Sequence, residues 1–313
     1  MPAARSLRLA VAGTPHLAVD ALHALLRTRH TVDLLLTRPA APSGRGRSAQ
    51  PTPLARAGVA LGIPVLAPER TDDPDLLARL RAQAIDLVVV IAYGAMIGSA
   101  ARAAVPLGWI NVHFSLLPAW RGAAPVTYAI WQGDALTGVT IFRIDAGLDT
   151  GDILDRTVVP IPPRATAGEL LTVLAQVGNE RLPDVIDGIA QGTCQAEPQP
   201  TGPVSHAPRL TVADAHIDFT ADAGQVDRQV RAMTPRPGAW ALIGDQRLRI
   251  GPVTLGAAAV GAPGTVTRIS QAVEVACGQS AVRLGWVQPA GGRQMPAIDW
   301  WRGARIAADA RLR

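Results

Sequence analysis

The sequence predicts an α/β domain with a mostly parallel sheet, followed by a smaller antiparallel β-barrel. Three observations support this fold class. Short apolar runs alternate with helical patterns over residues 1–190, which is typical of a parallel sheet. Residues Gln191–Pro208 contain four prolines and little apolar periodicity, which indicates an extended linker. Beyond them, short β-like segments separated by Gly and Pro indicate a small barrel.

Each element of the first domain follows from its local pattern. Continuous apolar runs predict strands that are covered on both faces, and apolar residues at helical spacing predict helices, the first entered through Pro15. The predicted strands are Leu7–Gly13, Thr31–Thr37, Ile63–Leu66, Ile85–Tyr93, Trp109–Phe114, Gly138–Asp145 and Ile153–Ile161. The predicted helices are His16–Thr28, Pro51–Leu61, Asp73–Gln83 and Ala167–Ile189.

The second domain is predicted to contain one helix and several short strands. The helix covers Asp222–Met233, where apolar residues recur at helical spacing. The β-like segments are Gly238–Gly244, Gln246–Leu255, Gly264–Ile269, Ala272–Gly278 and Ser280–Gly291.

The composition is that of a folded protein of about two domains. Of the 313 residues, 48% are hydrophobic and 18% are charged, which excludes an intrinsically disordered protein. The longest strongly apolar run, Leu87–Tyr93, is too short to span a membrane. No secretory apolar region precedes Gly13, so we expect a cytoplasmic protein. Cys194 and Cys277 lie far apart without metal-ligand spacing, which argues against a disulfide framework or a zinc site.

The positive charge is concentrated in the last third of the chain. All 30 basic residues are arginines, and the net charge is +5. From Ser205 to Arg313 there are 13 arginines and 8 acidic residues, so this part carries the whole excess. The asymmetry indicates either a polyanionic partner or a compositional preference for arginine.

The first candidate motif is the turn Ala12–Pro15 (AGTP) between a strand and a helix. A glycine turn at this place can present backbone N–H groups to a ligand. Because Pro15 and His16 interrupt the G-x-G-x-x-G pattern, a nicotinamide dinucleotide site is not expected. A simple strand–helix turn is the alternative interpretation.

Asn111 and His113 end a predicted strand and form the second candidate. Residues i and i+2 of a strand share a face, so both side chains would meet one crevice at the carboxyl end of the sheet. An amide can donate to a developing oxyanion, and an imidazole can carry a proton or donate a second hydrogen bond. A structural histidine that caps a loop remains the alternative.

The third candidate is the acidic loop Asp145–Leu154, which contains Asp145, Asp149 and Asp152. A carboxylate from this loop could lie beside His113, favour its imidazolium form and fix the ring. A solvated acidic turn is the alternative. The loop is too short for a twelve-residue EF-hand, and an apolar residue interrupts the acids.

The fourth candidate is the loop over residues 37–56. Between Asp33 and Glu69 the chain has four arginines and no acidic residue. Guanidinium groups bind phosphates bidentately, and Arg-rich segments often become ordered when they bind RNA. The composition of this loop is therefore suited to binding a nucleic acid. A solvated surface loop is the alternative.

Together these motifs resemble the folate-dependent formyltransferases, and within that family the members that act on methionyl-tRNA. The matching segments are AGTP (Ala12–Pro15), RPAAPSGRGR (Arg38–Arg47), AYG (Ala92–Gly94), INVHFSLLPAWRGAAP (Ile110–Pro125), TGVTIFRIDAGLDTGDIL (Thr137–Leu154), Ser205–Phe219, Arg231–Trp240 and Leu284–Met295.

The resemblance implies a fold and a reaction. The fold is a Rossmann-like catalytic domain over residues 1–190, a linker over 191–208 and an OB-like tRNA-binding domain over 209–313. The reaction transfers a formyl group from 10-formyltetrahydrofolate to the α-amino group of methionyl initiator tRNA. The family further implies a monomer that uses no metal and binds no membrane.

The resemblance also assigns roles to residues. Asn111 and a protonated His113 would donate hydrogen bonds to the oxyanion, while Asp149 would keep His113 charged and help move the amine proton. The implied folate-binding residues are Ser115, Leu116, Leu117, Pro118, Ala92, Tyr93 and Gly94. The implied tRNA-binding residues are Arg38, Arg45 and Arg47, which would reach the acceptor-stem end while the basic barrel holds the stem.

Three positions depart from the family pattern. Phe114 stands where the family usually has Gly or Pro, Ala119 where a basic residue is common, and Arg209 where a Lys is usual. Other interpretations are a formyltransferase for an amino sugar nucleotide or glycinamide ribonucleotide, an inactive RNA-binding protein, and a folate-binding hydrolase. The Arg/Gly loop and the basic second domain favour a tRNA substrate.

Overall fold

The computed structural model of the chain describes residues 5–42, 49–257, 260–304, 306–307 and 310–313. Its strands are β1 (Arg8–Gly13), β2 (Thr31–Leu36), β3 (Ala41–Pro42), β4 (Ala49–Gln50), β5 (Val65–Leu66), β6 (Leu87–Ile91), β7 (Trp109–His113), β8 (Arg121–Gly122), β9 (Leu136–Arg143), β10 (Ile153–Pro160), β11 (His206–Ala207), β12 (Trp240–Ile243), β13 (Gln246–Ile250), β14 (Val253–Leu255), β15 (Val266–Ile269), β16 (Ala272–Ala276), β17 (Ala281–Leu284), β18 (Trp286–Pro289) and β19 (Met295–Pro296). Its helices are α1 (His16–Leu25), α2 (Pro53–Leu61), α3 (Pro74–Ala82), α4 (Ser99–Ala103), α5 (Pro125–Gln132), α6 (Ala167–Gln191), α7 (Ala223–Ala232) and α8 (Ala297–Gly303).

The chain folds into two compact units, each assembled from separate stretches of sequence. The first comprises residues 1–123, 137–159 and 172–206, and the second comprises 124–136, 160–171 and 207–313. Within the described ranges, no helix is both long enough and apolar enough to cross a membrane.

The first unit is built on a seven-stranded sheet of order β10-β9-β7-β6-β1-β2-β5. Neighbouring strands from β5 to β7 are parallel, and β9 pairs antiparallel with β7. The predicted α/β class with a mostly parallel sheet is therefore confirmed. All five residues of β6 are buried, which explains its continuous apolar run (LVVVI).

The strands and helices predicted over residues 1–190 are present, with ends that differ by a few residues. Thr52 and Asp73 cap α2 and α3 through their side chains, and a proline follows each cap, so these starts are visible in the sequence. Helices α4 and α5 were not predicted. Helix α4 has only five residues, and α5 (PVTYAIWQ) contains β-branched and aromatic residues and has no side-chain cap.

The turn after β1 lies at the point where the strand order reverses. Strand β2 continues on one side of β1 and β6 lies on the other, and open α/β sheets bind ligands outside the carboxyl ends of strands at such a point. Gly13 ends β1 here. A Cβ at this position would lie 2.7 Å from the carbonyl oxygen of Ile91 and would overlap the side chain of Ala18 on α1. Only glycine allows this close approach of helix and strand.

The second unit contains two four-stranded antiparallel sheets of order β12-β13-β18-β19 and β14-β17-β16-β15. Two of the predicted strand segments each pass through both sheets. The first bends at Gly251, which separates β13 from β14. The second bends at Gly285, which separates β17 from β18. At Gly251 a Cβ would overlap the indole of Trp286, so the bend requires glycine.

Helix α7 covers the predicted range, and Asp222 and Gln225 form a capping box at its start. It contributes buried residues to the core of the second unit, in which Val226 and Val230 lie with Leu248, Val275 and Val287. Helix α8 was not predicted, because its seven residues lack a side-chain cap.

We expect Gly13→Ala to lower the free energy of unfolding by roughly 1–3 kcal/mol, because the added methyl group overpacks the junction of β1 and α1. Urea denaturation measures the change. Gly202→Ala is the matched control, since a Cβ there meets nothing within 4 Å. Equal stability of the two variants would contradict the close approach at Gly13.

Candidate active site

Strand β7 carries both Asn111 and His113 near its carboxyl end. Asn111 pairs with Phe142 of β9 and with Val90 of β6, and His113 pairs with Thr140 of β9. The two side chains therefore share one face of the sheet, as predicted from their spacing. Asn111 is half-buried and His113 is 5% exposed.

The imidazole of His113 lies between two oxygen atoms from different loops. Its Nε2 is 3.0 Å from the carbonyl oxygen of Trp120, and its Nδ1 is 3.7 Å from Oδ2 of Asp149. Because a carbonyl oxygen can only accept, Nε2 must carry a hydrogen. In the neutral ring Nδ1 is then the free basic nitrogen, and it faces the carboxylate. The rings of His113 and Phe142 form a T-shaped pair, with their centroids 6.3 Å apart.

Burial controls the charge of this ring. The pKa of His113 is lowered from 6.5, because the loss of hydration penalises the imidazolium form more than Asp149 and the Trp120 carbonyl favour it. The lowered pKa favours a neutral ring in the free protein, and the protonated His113 that the resemblance implies for the reaction stays a prediction. The carboxylate does raise the pKa as expected, but desolvation is the larger effect.

A backbone hydrogen bond holds Asp149. Its Oδ2 accepts from the backbone N–H of Gly122 at 2.7 Å, so the carboxylate bridges a second loop and His113. Asp149 itself has a φ of 52°, which non-glycine residues adopt only when their surroundings hold them. Its loop is shaped by Asp145, whose Oδ1 accepts from the N–H of Gly147 at 3.0 Å and from the hydroxyl of Thr150 at 2.6 Å.

The segment after β7 is held by hydrogen bonds within itself and to β9. The hydroxyl of Ser115 donates to the carbonyl of Ala119 at 2.6 Å, and the hydroxyl of Thr140 donates to the carbonyl of Ser115 at 2.7 Å. Ser115 and Leu117 are fully buried, whereas Leu116 and Pro118 are half-buried. Of these four predicted folate-binding residues, Leu116 and Pro118 are thus the two whose side chains reach the surface.

The AYG segment follows β6 at the same edge of the sheet. Ala92 and Gly94 are exposed, with φ values of 47° and 77°. Tyr93 is buried, its carbonyl accepts from the hydroxyl of Thr14 at 3.0 Å, and its own hydroxyl has no hydrogen-bond partner among the described residues. Burial raises the pKa of Tyr93, and the charge of Arg38 opposes that shift. The AGTP turn and the AYG segment therefore meet at the ends of β1 and β6.

Of the predicted tRNA-binding arginines, only Arg38 is described. It is half-buried, and its guanidinium donates to the carbonyl of Glu69 at 3.0 Å. Arg45 and Arg47 lie outside the described residues. Within the described ranges, no group of three or more His, Cys, Asp and Glu side chains is arranged to hold a metal ion.

Sequence reasoning missed two residues that shape the site, Trp120 and Gly122. Trp120 offers a carbonyl to His113 and has a φ of 61°, and Gly122 offers a backbone N–H to Asp149. Both act through the main chain. Side-chain chemistry read from the sequence therefore could not have identified them.

Comparison with known proteins assigns the family. Residues 7–186 match the model described as "Formyl transferase", and residues 209–305 match "Formyl transferase, C-terminal domain". The chain belongs to the formyltransferase family. Asn111, His113 and Asp149 all lie in the first matched region.

The relatives are similar over almost their whole length. A protein of Acidothermus cellulolyticus named "Methionyl-tRNA formyltransferase" is 47% identical, and the match covers 98% of this chain and 100% of the relative. A protein of Thermobifida fusca with the same name is 49% identical, with coverage of 98% and 99%. An N-formyltransferase from Helicobacter canadensis, solved with folinic acid and dTDP-3-aminofucose, superposes with a TM-score of 0.67 at 18% identity, covering 92% of this chain and 100% of that one. This last likeness shows the fold.

We expect His113→Gln to reduce the loss of stability on acidification. Because the pKa of His113 is lowered from 6.5, the unfolded chain binds a proton in a pH range in which the folded ring stays neutral. This difference lowers the free energy of unfolding as the pH falls below about 6.5. Urea unfolding at about pH 7.5 and 5.5 should give a smaller decrease in the variant than in the wild type.

His23→Gln, at an exposed position of α1, controls for the loss of one histidine. If His113→Gln and the wild type lost the same stability on acidification, the buried neutral ring would be ruled out.

Proposed function

We propose that this chain transfers the formyl group of 10-formyltetrahydrofolate to the α-amino group of methionyl initiator tRNA. The product is N-formylmethionyl-tRNA, which initiates translation. The observation that carries the proposal is the contact of His113 with Asp149 on the strand that carries Asn111. It occurs in a chain whose relatives of matching length are named methionyl-tRNA formyltransferase.

The reaction needs an oxyanion donor and a proton acceptor. The lone pair of the amine attacks the formyl carbon, and the carbonyl oxygen becomes an oxyanion. When the intermediate collapses, the bond between the carbon and N10 of the folate breaks. The amine loses one proton and N10 gains one. Asn111 is half-buried, so its amide can donate to the oxyanion.

His113 is suited to move the proton. Its Nε2 hydrogen is held by the Trp120 carbonyl, so the basic Nδ1 receives the amine proton. Asp149, 3.7 Å away, then stabilises the imidazolium that burial would otherwise disfavour. The same proton is delivered to the leaving N10. A neutral resting ring fits this role, because a protonated one could not accept.

The folate site is proposed at the adjoining edge of the sheet. Leu116 and Pro118 reach the surface there, and Ala92 and Gly94 leave the backbone after β6 accessible. Ser115, Leu117 and Tyr93 have buried side chains and would fix the conformation of these two segments. The chemistry calls for no metal, because Asn111 and His113 supply the hydrogen bond and the proton transfer.

The tRNA contacts are proposed for arginines in both units. Arg38, Arg45 and Arg47 would bind phosphates and bases at the acceptor end, and the excess arginines of residues 205–313 would bind the stem backbone. The domain boundaries at residues 190 and 208 remain predictions. We propose that the protein acts as a monomer in the cytoplasm, where translation begins.

An OB-like barrel for the second unit is supported by its last residues. Leu312 forms an antiparallel bridge with Ile243 at the end of β12, and Arg311 forms one with Thr265 beside β15. These strands are the outer members of the two sheets. The C-terminal residues thus join the two sheets along one edge, as closure of a barrel requires.

We expect His113→Ala and Asp149→Ala to reduce formylation by at least about a hundredfold, because each removes part of the proton path. Asn111→Ala removes the oxyanion donor and should cost roughly 10²–10³-fold in kcat. Initial rates with 10-formyltetrahydrofolate and methionyl initiator tRNA measure these effects, with thermal unfolding to verify the fold. Turnover at the wild-type rate in any of the three would remove that residue from the mechanism.

The acceptor is tested by parallel assays of the wild-type enzyme. Methionyl initiator tRNA, an amino sugar nucleotide and glycinamide ribonucleotide are each offered with the same formyl donor. We expect formylation of the tRNA alone. Preference for either small acceptor would replace the proposed substrate, release of formate without transfer would indicate a hydrolase, and tRNA binding without turnover would indicate an inactive RNA-binding protein.

Arg45→Ala is expected to raise KM for the tRNA about tenfold and to leave KM for the folate unchanged, because it removes a phosphate contact of the Arg/Gly loop. It should also lessen the salt dependence of tRNA binding. Arg79→Ala, at an exposed position of α3, is the matched control. Equal effects on both substrates would contradict the loop assignment.

A further inference from the structure

The proline-rich segment over residues 195–206, which belongs to the first unit, contacts the candidate active site. Between residues 195 and 206 all side chains are exposed except those of Gln199 and Ser205, which are half-buried. Glu197 pairs with Ile153 of β10 through both of its backbone groups, at 2.7 and 2.9 Å. The segment predicted as a linker is therefore fixed to the first unit at defined points.

Gln199 joins the two loops that hold His113. Its Nε2 donates to the carbonyl of Asp149 at 2.8 Å and to the carbonyl of Gly151 at 3.0 Å. Its Oε1 accepts from a guanidinium nitrogen of Arg121 at 2.6 Å. One side chain thus spans the loop that carries the carboxylate and the segment that follows Trp120.

Ser205 bonds to the main chain of the segment that contains Trp120 and Arg121. Its hydroxyl accepts from the backbone N–H of Trp120 at 2.9 Å, and its carbonyl accepts from the backbone N–H of Arg121 at 3.0 Å. The main chain of Trp120 is therefore bound on its N–H by Ser205 and on its carbonyl by His113.

The hydrogen bonds of Gln199 and Ser205 are made at two residues with unfavourable backbone conformations. Trp120 and Asp149 have φ values of 61° and 52°, a region that non-glycine residues rarely occupy unless surrounding contacts hold them there. These two residues also supply the oxygen atoms on either side of the His113 ring. Gln199 and Ser205 provide hydrogen bonds at these positions, and both belong to a segment that forms no regular element of its own there.

We propose that Gln199 is a positioning residue for formyl transfer, which holds the Asp149 loop against the Trp120 segment, and that Ser205 is its second anchor. The inference rests on the proposed function for its kinetic readout. Its structural readout, amide exchange, needs no substrate. Gln199 touches none of the reacting atoms and acts through Asp149 and His113.

Kinetics test the positioning role. Gln199→Ala should lower kcat about 10–100-fold and change KM for either substrate less than about threefold, because misplacement of catalytic groups by about 1 Å costs on the order of 10² in rate. Gln199→Glu retains an acceptor for Arg121 but loses both donors, so it should be as impaired as Gln199→Ala. Wild-type kcat in Gln199→Ala, or in Gln199→Glu, would overturn the proposal.

Amide hydrogen exchange tests the anchor directly. The N–H of Gly122 is bonded to Asp149, so it should exchange at least about tenfold faster in Gln199→Ala, while the amides of β6 stay unchanged. Unchanged exchange at Gly122 would refute the role without reference to activity. Uniformly faster exchange through the whole unit would mean a general structural role and would also overturn it.

Two sets of variants complete the design. Gln195→Ala alters an exposed glutamine of the same segment and should behave as the wild type. Ser205→Ala should lower kcat and speed exchange at Trp120, and Ser205→Thr should restore both because it keeps the hydroxyl. Failure of the threonine to restore them would eliminate Ser205 as an anchor. Absence of formyl transfer by the wild type would refute the proposed function. The exchange result tests the positioning role of Gln199 and Ser205 independently of activity.

Discussion

The contacts around the buried imidazole of His113 set the requirements for the rest of the candidate site. Burial removes most of the hydration that would stabilise its charge, so the ring depends on two oxygen atoms, one from Trp120 and one from Asp149. Both oxygens come from loops, and both residues have left-handed backbone conformations. The sheet supplies a rigid strand for His113, while the loops must be held by hydrogen bonds made elsewhere.

The balance between desolvation and charge explains how such a ring can take part in catalysis. A nearby carboxylate alone would keep the imidazole protonated, which would leave it unable to accept a proton. Burial shifts the balance toward the neutral form. In the proposed reaction, the carboxylate would stabilise the charge that arises on the ring during proton transfer. A carboxylate beside an exposed imidazole therefore favours the charged ring, whereas at this buried site the pKa of the imidazole is lowered.

The proline-rich segment over residues 195–206 contributes contacts to the candidate site. A proline-rich stretch with exposed side chains is the usual composition of a spacer. Here two of its side chains turn inward and bond the loops on either side of His113. Gln199 and Ser205 make most of their hydrogen bonds to main-chain groups. The contacts around His113 thus include residues that come late in the sequence of the first unit.

The sequence by itself determined the main strands of the parallel sheet and the capped helices α2, α3 and α7, because buried parallel strands and capped helices leave local patterns. It also determined that Asn111 and His113 share a face, because strand geometry has a period of two. The tertiary structure alone decided the rest. Helix α5 has β-favouring residues and no side-chain cap, and the lowered pKa of His113 depends on how completely neighbours exclude water. The main-chain contacts of Trp120 and Gly122, and the contacts of Gln199, join residues 7 to 85 positions apart. No spacing in the sequence encodes such contacts, because they arise only when distant loops are folded against one another.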